Sequence, residues 1–431
     1  MSANIPPTSK PTEISVNETK LSTPTRPITP VSAAQRIQSI DVLRGFALLG
    51  ILVMNIQSFS MIDAAYFNPV AFGDLHGINY LIWYAGHLIV DTKFMSIFSM
   101  LFGAGIILMT SRAEATGRSP RSIHYRRNIV LLAIGLAHGW LLWSGDILYS
   151  YAMCGFFVYL FRKKSPKSLI TTAIIFLAIG SAITILSAMS ESPENQQELM
   201  SLFAPSPEEA TRNLTAYRGN WLSQFTYRID DIIAMETVVF AFYIFWRVTG
   251  LMLLGMAFFK LHLFDATRSK RYYTYMATAG LSLGLPLIAY EISIYVKHDW
   301  DISVMGGPAG QLNYWGSIAV ATGLIGMIMR WCKSNFAKSL KSSLAAVGQT
   351  ALTNYLMQTI ICTFIFYGGW GLGYFGTFQR WQQAILVLSI WIAQLIISTI
   401  WMRVFRYGPF EWLWRTLTYA RFQPMRRIPT Q

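Results

Sequence analysis

Apolar runs about as long as a bilayer is thick recur along most of this chain, and they confine it to a small set of architectures. A helix needs roughly 20 apolar residues to cross the hydrocarbon core, where unpaired backbone groups are excluded. Ten runs of this kind cover residues 37–61, 78–111, 126–144, 147–161, 168–189, 233–260, 272–296, 312–331, 344–367 and 382–403. Only 13% of the 431 residues are charged, against about 25% in soluble domains. The predicted fold is all-α, a polytopic membrane helical bundle of about ten transmembrane helices.

The loops alternate in charge. Segments 1–36, 112–127, 162–167, 260–271, 330–341 and 403–431 hold 27 of the 35 Lys and Arg residues. The largest segment on the other side, 190–232, is acidic, with Glu191, Glu194, Glu198, Glu208, Glu209, Asp230 and Asp231. Basic loops stay on the inner side, so both termini are predicted cytoplasmic. The net charge of +14 therefore belongs to short loops, without the basic and aromatic stripe of a nucleic-acid surface. Membrane lipids, not nucleic acid, are the expected partners.

Residues 1–36, rich in Pro, Ser and Thr, read as a disordered cytoplasmic tail, 37–405 as the membrane domain, and 406–431 as an interfacial cytoplasmic segment. Within the outer loop, AYRGNWLSQFTYRID suits an interfacial helix or a lid. Run 78–111 is one long helix of about 50 Å at about 1.5 Å per residue, because splitting it would move the basic loop 112–127 outside. The third and fourth runs form a tight hairpin at Gly145-Asp146. Cys154, Cys332 and Cys362 lack disulfide or metal-ligand spacing and read as small apolar residues; no metal site is predicted.

Polar residues inside the runs carry the functional signal. A charge within a bilayer helix costs at least about 2.5–3.5 kcal/mol on insertion scales, so it faces a partner or a wet cavity. The first run, RIQSIDVLRGFALLGILVMN, contains Asp41, Arg44 and Asn55. Arg44 and Asn55 fall within about 20° of each other on a helix, with Asp41 one turn below. His87 and Asp91, four apart, share a face that can orient an imidazole for proton transfer or form an interhelical hydrogen-bond pair. His138 lies near mid-bilayer, where a structural hydrogen bond is the first reading and catalysis the second, and His76 lies in the first outer loop, where a base would meet an acceptor from outside. His124, His262 and His298 read as solvated loop residues.

Arg44 and Lys93 suit the phosphates of a coenzyme or, equally, pairing with Asp41 and Asp91. Glu236 and Arg247 stand eleven apart on one predicted face, and Asn354 and Gln358 four apart. Each pair lines the same cavity or locks helices together. The sequence contains no Walker loop, zinc-type HExxH or GxSxG elbow. The glycines of LFGAG (Leu101–Gly105) fit close helix packing better than phosphate binding.

DVLRGFALLGILVMN, KFMSIFSMLFGAG, GQTALTNYLMQT and YGPFEWLWRTLTY together resemble the YeiB-like family of bacterial inner-membrane proteins. The likeness covers nearly everything after residue 36. The Asp-x-x-Arg-Gly opening, with Asn eleven residues after the Arg, is similar to the first helix of heparan-α-glucosaminide acetyltransferase-like proteins. The membrane acyltransferase-three family has a similar helix with His in place of Asn55. This resemblance implies acyl transfer from cytoplasmic acyl-CoA to a sugar acceptor, with no permanently bound cofactor. It also implies that Arg44 contacts the donor, Asn55 lines the chamber, and Asp91 matches an Asp of the second helix. The chain departs from the pattern where the catalytic His is expected, since Tyr66 holds that spacing and His76 or His87 would have to replace it.

The leading reading is an acyltransferase acting on an envelope sugar or lipid. In it His87, oriented by Asp91, serves as base, Arg44 and Lys93 hold the donor, and Asn55 stabilises the oxyanion. A transporter or lipid exporter, or a non-catalytic membrane partner, remain the alternatives.

Overall fold

The computed structural model describes Met1, residues 37–190 and residues 203–427. The tail expected over 1–36 therefore lies, apart from Met1, outside the described residues, as do 191–202 of the outer loop. The rest, from Ile37 onward, is one compact unit.

The described residues are helical throughout, joined by short loops. The helices are α1 (Gln38–Ser60), α2 (Ala64–Phe67), α3 (Gly77–Ile89), α4 (Lys93–Ala115), α5 (Pro120–Leu141), α6 (Leu148–Val158) and α7 (Pro166–Ser190). After the outer loop come α8 (Pro207–Arg218), α9 (Trp221–Ala234) and a wide π-type stretch, Met235–Ile244, that leads into α10 (Phe245–Lys260). Then follow α11 (Lys270–Lys297), α12 (Ile302–Met305), α13 (Gly310–Cys332), α14 (Lys338–Gln349), α15 (Ala351–Phe366), α16 (Arg380–Val404) and α17 (Pro409–Tyr419).

Seven segments are by themselves long and apolar enough to cross a membrane: 38–60, 77–115, 166–189, 221–260, 270–297, 310–332 and 380–404. The other three expected spans are present as helices but fall short of that standard. Leu148–Phe161 and Ala351–Phe366 are too short. α5 carries Arg121, His124, Arg126 and Arg127 in its first turns, which lowers its apolarity. Run 78–111 departs from expectation. It is two helices, interrupted at Val90–Thr92, with Thr92 in the left-handed region at φ 58°.

α1 is the central rod. Its apolar window is 72% buried, against 28% for α7 and α16, whose open faces suit lipid. What lets α1 sit so deep is a glycine crossing with α14. A Cβ on Gly45 would collide with the Leu344 carbonyl, and one on Gly348 with the Asp41 carbonyl. The two backbones touch there, as small-residue contacts allow between membrane helices. A second crossing of the same kind joins α4 to α10: Gly103 meets the Met252 backbone and Gly255 the Met100 backbone. That explains one glycine of LFGAG, while Gly105 faces open space.

The C-terminal segment folds back onto the bundle. Glu411 of α17 is buried, and its Oε1 accepts hydrogen bonds from the Leu352 and Thr353 amides at 2.6 and 3.1 Å. Its Oε2 accepts from the Thr353 hydroxyl at 2.6 Å. A carboxylate thus satisfies orphan amides at the start of α15, where the helix dipole favours negative charge. Burial pushes the Glu411 carboxyl up, and these hydrogen bonds oppose the shift. α17, α14 and the start of α1 share one end of the bundle, the terminal end; Asp63, Asp74, α8 and α9 lie at the opposite, loop end.

Replacing Gly45 or Gly348 with valine forces two backbones apart, and overpacking of this kind costs about 1–3 kcal/mol or more. Either variant is expected to lower the thermal unfolding midpoint in detergent, whereas Gly105→Ala leaves it unchanged.

Candidate functional site

Two buried polar centres and one arginine cluster stand out. The first centre forms where α3 breaks. Lys93, the first residue of α4, is fully buried, and its Nζ donates to the His87 carbonyl at 2.6 Å and to Asn313 Oδ1 at 2.8 Å. The Asn313 amide donates to Asp91 Oδ2 at 2.9 Å. His87 places Nδ1 3.5 Å from Asp91 Oδ2 and Nε2 3.3 Å from Glu291 Oε2. Tyr295 donates to the other Glu291 oxygen at 2.6 Å. Arg247 is near enough to act electrostatically on Lys93, as are Asp91 and Glu291. Its guanidinium donates to the Tyr314 carbonyl and to Ser317 Oγ.

The structure thus brings His87, Asp91, Lys93 and Arg247 together. Breaking a helix at membrane depth frees backbone groups, and Lys93 satisfies one of them, the His87 carbonyl. Both His87 ring nitrogens face carboxylates, so neither points at an open position where a substrate proton would sit.

The second centre is built on the α5–α6 hairpin. His138 Nδ1 lies 2.7 Å from Asp146 Oδ1, and Nε2 lies 2.9 Å from Thr359 Oγ1 on α15. The other Asp146 oxygen accepts from the Tyr149 amide at 2.8 Å, which fixes the carboxylate. In the neutral tautomer with its proton on Nδ1, His138 donates to the Asp146 carboxylate and leaves Nε2 to accept from the threonine hydroxyl. Carboxylate, imidazole and hydroxyl therefore stand in the order used to activate a hydroxyl. All three side chains are buried. At the loop end, α9 closes the hairpin: Trp221 donates to the Leu141 carbonyl, and Arg228 donates to the Leu142 and Trp140 carbonyls. The expected lid helix is thus a cap on the last carbonyls of α5.

At the terminal end, Arg44 pairs with Asp41 at 3.2 Å and reaches the Gly348 carbonyl at 3.5 Å. Arg127 stacks on Trp414, 4.1 Å from the ring centre, and lies close enough to feel the charges of Arg44 and Arg415. Arg415 acts on Arg112 as well. Guanidinium groups from α1, α4, α5 and α17 thus gather in one region, while the Glu411 carboxylate is committed to α15.

These levels repeat with one spacing. Arg44 and Asn55, and Arg127 and His138, are each eleven residues apart, about 16 Å along a helix; Gly348 and Thr359 have the same interval but lie on the consecutive helices α14 and α15. The α1 and α5 backbones make almost no close approach to each other. At one end Arg44 and Arg127 lie near enough for their like charges to repel, and at the other Trp143 Nε1 donates to Ser58 Oγ at 3.1 Å. Asn55, half-buried on α1, lies between those two levels.

Other expected residues lie elsewhere. His76 is exposed at the loop end beside Asp74, 2.8 Å away. Asn354 locks α15 to α16 through Ser398 Oγ at 2.9 Å, and Gln358 does the same through Gln394 at 2.9 Å. Glu236 and Arg247 do not share a face. The π-type turns of 235–244 shift the register, so Glu236 meets Trp140 while Arg247 meets α13. His124, expected in solvent, is buried against Tyr159 and lies 3.0 Å from the Gly155 carbonyl. Glu291, Asn313, Asp146 and Thr359 join the two centres only through tertiary packing. Arg127, by contrast, stands eleven residues before His138, the same interval as Arg44 to Asn55.

Comparison with known proteins places this architecture. A family model described as "Protein of unknown function (DUF418)" matches residues 258–421. Uncharacterized protein YeiB of Escherichia coli (strain K12) is 31% identical over 401 residues, covering 90% of this chain and 98% of that protein. The chain belongs to the YeiB-like DUF418 family. Uncharacterized protein YxaH of Bacillus subtilis (strain 168) is also 31% identical, covering 92% of this chain and 97% of its own length. An uncharacterized 39.9 kDa protein of Bacillus acidopullulyticus is 29% identical, with coverage of 92% and 97%.

A titratable contact also sits at the loop end. Asp63 accepts from Asn213 on α8 at 3.2 Å, and burial together with the nearby Asp231 carboxylate pushes its carboxyl up to about 7. In the folded protein the neutral form is favoured, so stability contributed here is full below about pH 4 and is lost as pH rises through about 7. Asp63→Asn is expected to flatten the fall in unfolding temperature across that window. An unchanged slope in the variant would show that Asp63 carries no such linkage.

Proposed function

We propose that the protein is a membrane-embedded acyltransferase of the bacterial inner membrane, passing an acyl group from cytoplasmic acyl-CoA to an envelope saccharide or lipid. The observation that carries this reading is the Asp146–His138–Thr359 chain, which stands three helical turns from an arginine cluster. With the terminal end cytoplasmic, as the loop charges argue, Arg44, Arg127 and Arg415 suit the anionic part of a donor. The extended arm of a coenzyme would then span those three turns toward His138.

His138 is the base of this reading, oriented by Asp146 as a catalytic imidazole must be. Asn55 faces the same level from α1 and supplies an amide for a developing oxyanion. His87 fits the role less well, because both its nitrogens are already held by carboxylates. The resemblance of the Asp-x-x-Arg-Gly opening, with Asn55 eleven residues after Arg44, to the first helix of membrane acetyltransferases supports the same reading.

A second reading, an ion-coupled transporter, is favoured by the broken helix and its buried Lys93, Asp91, His87 and Glu291. Intramembrane charges at a discontinuous helix commonly mark translocation sites. The two readings separate experimentally. Purified protein in lipid nanodiscs is expected to bind labelled acetyl-CoA, with affinity reduced about tenfold, or about 1.4 kcal/mol, in Arg127→Ala. Thioester cleavage is expected to fall about 10²–10⁴-fold in His138→Asn. Absence of both binding and cleavage, with solute uptake driven by a pH gradient and lost in Asp91→Asn, would replace the first reading with the second.

A further inference from the structure

The hydroxyl at the end of the relay has an unusual placement for a helix residue. Most buried Ser and Thr hydroxyls here return to a carbonyl of their own helix: Thr110 to Ile106, Thr350 to Ala346 and Thr363 to Thr359. This back-bonding is the default for such side chains in helices. Thr359 departs from it. Its Oγ1 turns across to His138 Nε2 at 2.9 Å, and the imidazole is backed by Asp146 at 2.7 Å.

One turn earlier on the same helix, the buried Tyr355 hydroxyl is approached by the Ile147 backbone amide, and its own proton has no acceptor among the described residues. Its ring centre lies 5.3 Å from that of His138, and Asp146 is near enough to act on its hydroxyl. An orphaned donor in a buried site calls for an explanation. Here it would meet a group that arrives with a substrate, such as the oxygen of a tetrahedral intermediate.

We infer that Thr359 is the nucleophile that carries the acyl group between donor and acceptor, an inference that rests on the acyltransferase reading above. In the first half-reaction Thr359 Oγ1 attacks the thioester carbonyl, and its proton passes to His138 Nε2. The carbon–sulfur bond breaks, the thiolate takes the proton from His138, and an oxygen ester remains on Thr359. In the second half-reaction an acceptor hydroxyl gives its proton to His138 and attacks that ester. The bond between the acyl carbon and Thr359 Oγ1 breaks, and the Oγ1 alkoxide takes the proton back from His138. Tyr355 donates to the oxyanion in both halves.

A covalent carrier also suits the access to this site. The donor approaches from the arginine end, while α9 covers the hairpin at the loop end. A covalent carrier lets the two substrates occupy the relay in turn.

The test uses the full chain in nanodiscs with radiolabelled acetyl-CoA and no acceptor. A stoichiometric burst of free coenzyme A is expected, together with label on the peptide that contains Thr359. Thr359→Ser, which keeps a hydroxyl, is expected to retain the label, and Thr359→Val, which keeps the shape, to lose both burst and label. If the protein binds and cleaves the donor but the label sits elsewhere, or Thr359→Val keeps its burst, the carrier role is overturned while acyl transfer stands. If the donor is neither bound nor cleaved, the acyltransferase reading and the carrier role fall together. Monodisperse elution of Thr359→Val guards against misfolding, and retained labelling in Thr359→Ser excludes a merely structural role for the side chain.

Discussion

Backbone contact between α1 and α14, at Gly45 and Gly348, sets the position of everything else on the central helix. Without a Cβ on either residue the two rods close to touching distance. Arg44 then reaches the Gly348 carbonyl, and the polar face of α1 is held at a fixed height against α14 and α15. Between membrane helices, lipid offers no hydrophobic drive for association, so packing and polar contacts of this kind decide the arrangement. The levels of Arg44 with Arg127, and of Asn55 with His138 and Thr359, depend on that crossing.

The two buried centres are built on different principles. Around Lys93, charged groups neutralise one another and a broken backbone is satisfied, so each group is already occupied. A cluster of this type holds helices in register, because removing one partner leaves another charge buried, at a cost of about 3–5 kcal/mol. Around His138 the groups form a directed chain from carboxylate to hydroxyl, and a tyrosine hydroxyl whose proton has no acceptor among the described residues lies alongside. The first centre fits architecture or ion coupling, and the second fits chemistry.

Much of this was legible in the sequence, and what was not has physical causes. The apolar runs located every long helix, since a bilayer permits few alternatives. The centre of run 78–111 looked continuous because a left-handed residue at Thr92 has no signature in composition; only the Asp91–Lys93 pair marked the spot. Glu236 and Arg247 looked co-facial because an α-helical period was assumed across a π-type stretch. His124 looked solvated because it sits among arginines, yet Tyr159 covers it. His138 was visible as a mid-membrane histidine. Its partners Asp146 and Thr359 were not, because one lies beyond a tight turn and the other is 221 residues away.

The most direct measurement is a cryo-electron microscopy structure of the full chain bound to a non-hydrolysable acyl-CoA analogue. The account predicts its phosphates beside Arg44, Arg127 and Arg415, its arm reaching the His138 level, and its thioester surrogate within hydrogen-bonding reach of His138 or Thr359. Density that instead ends at the Lys93 cluster, or an arm that never reaches the His138 level, would contradict it.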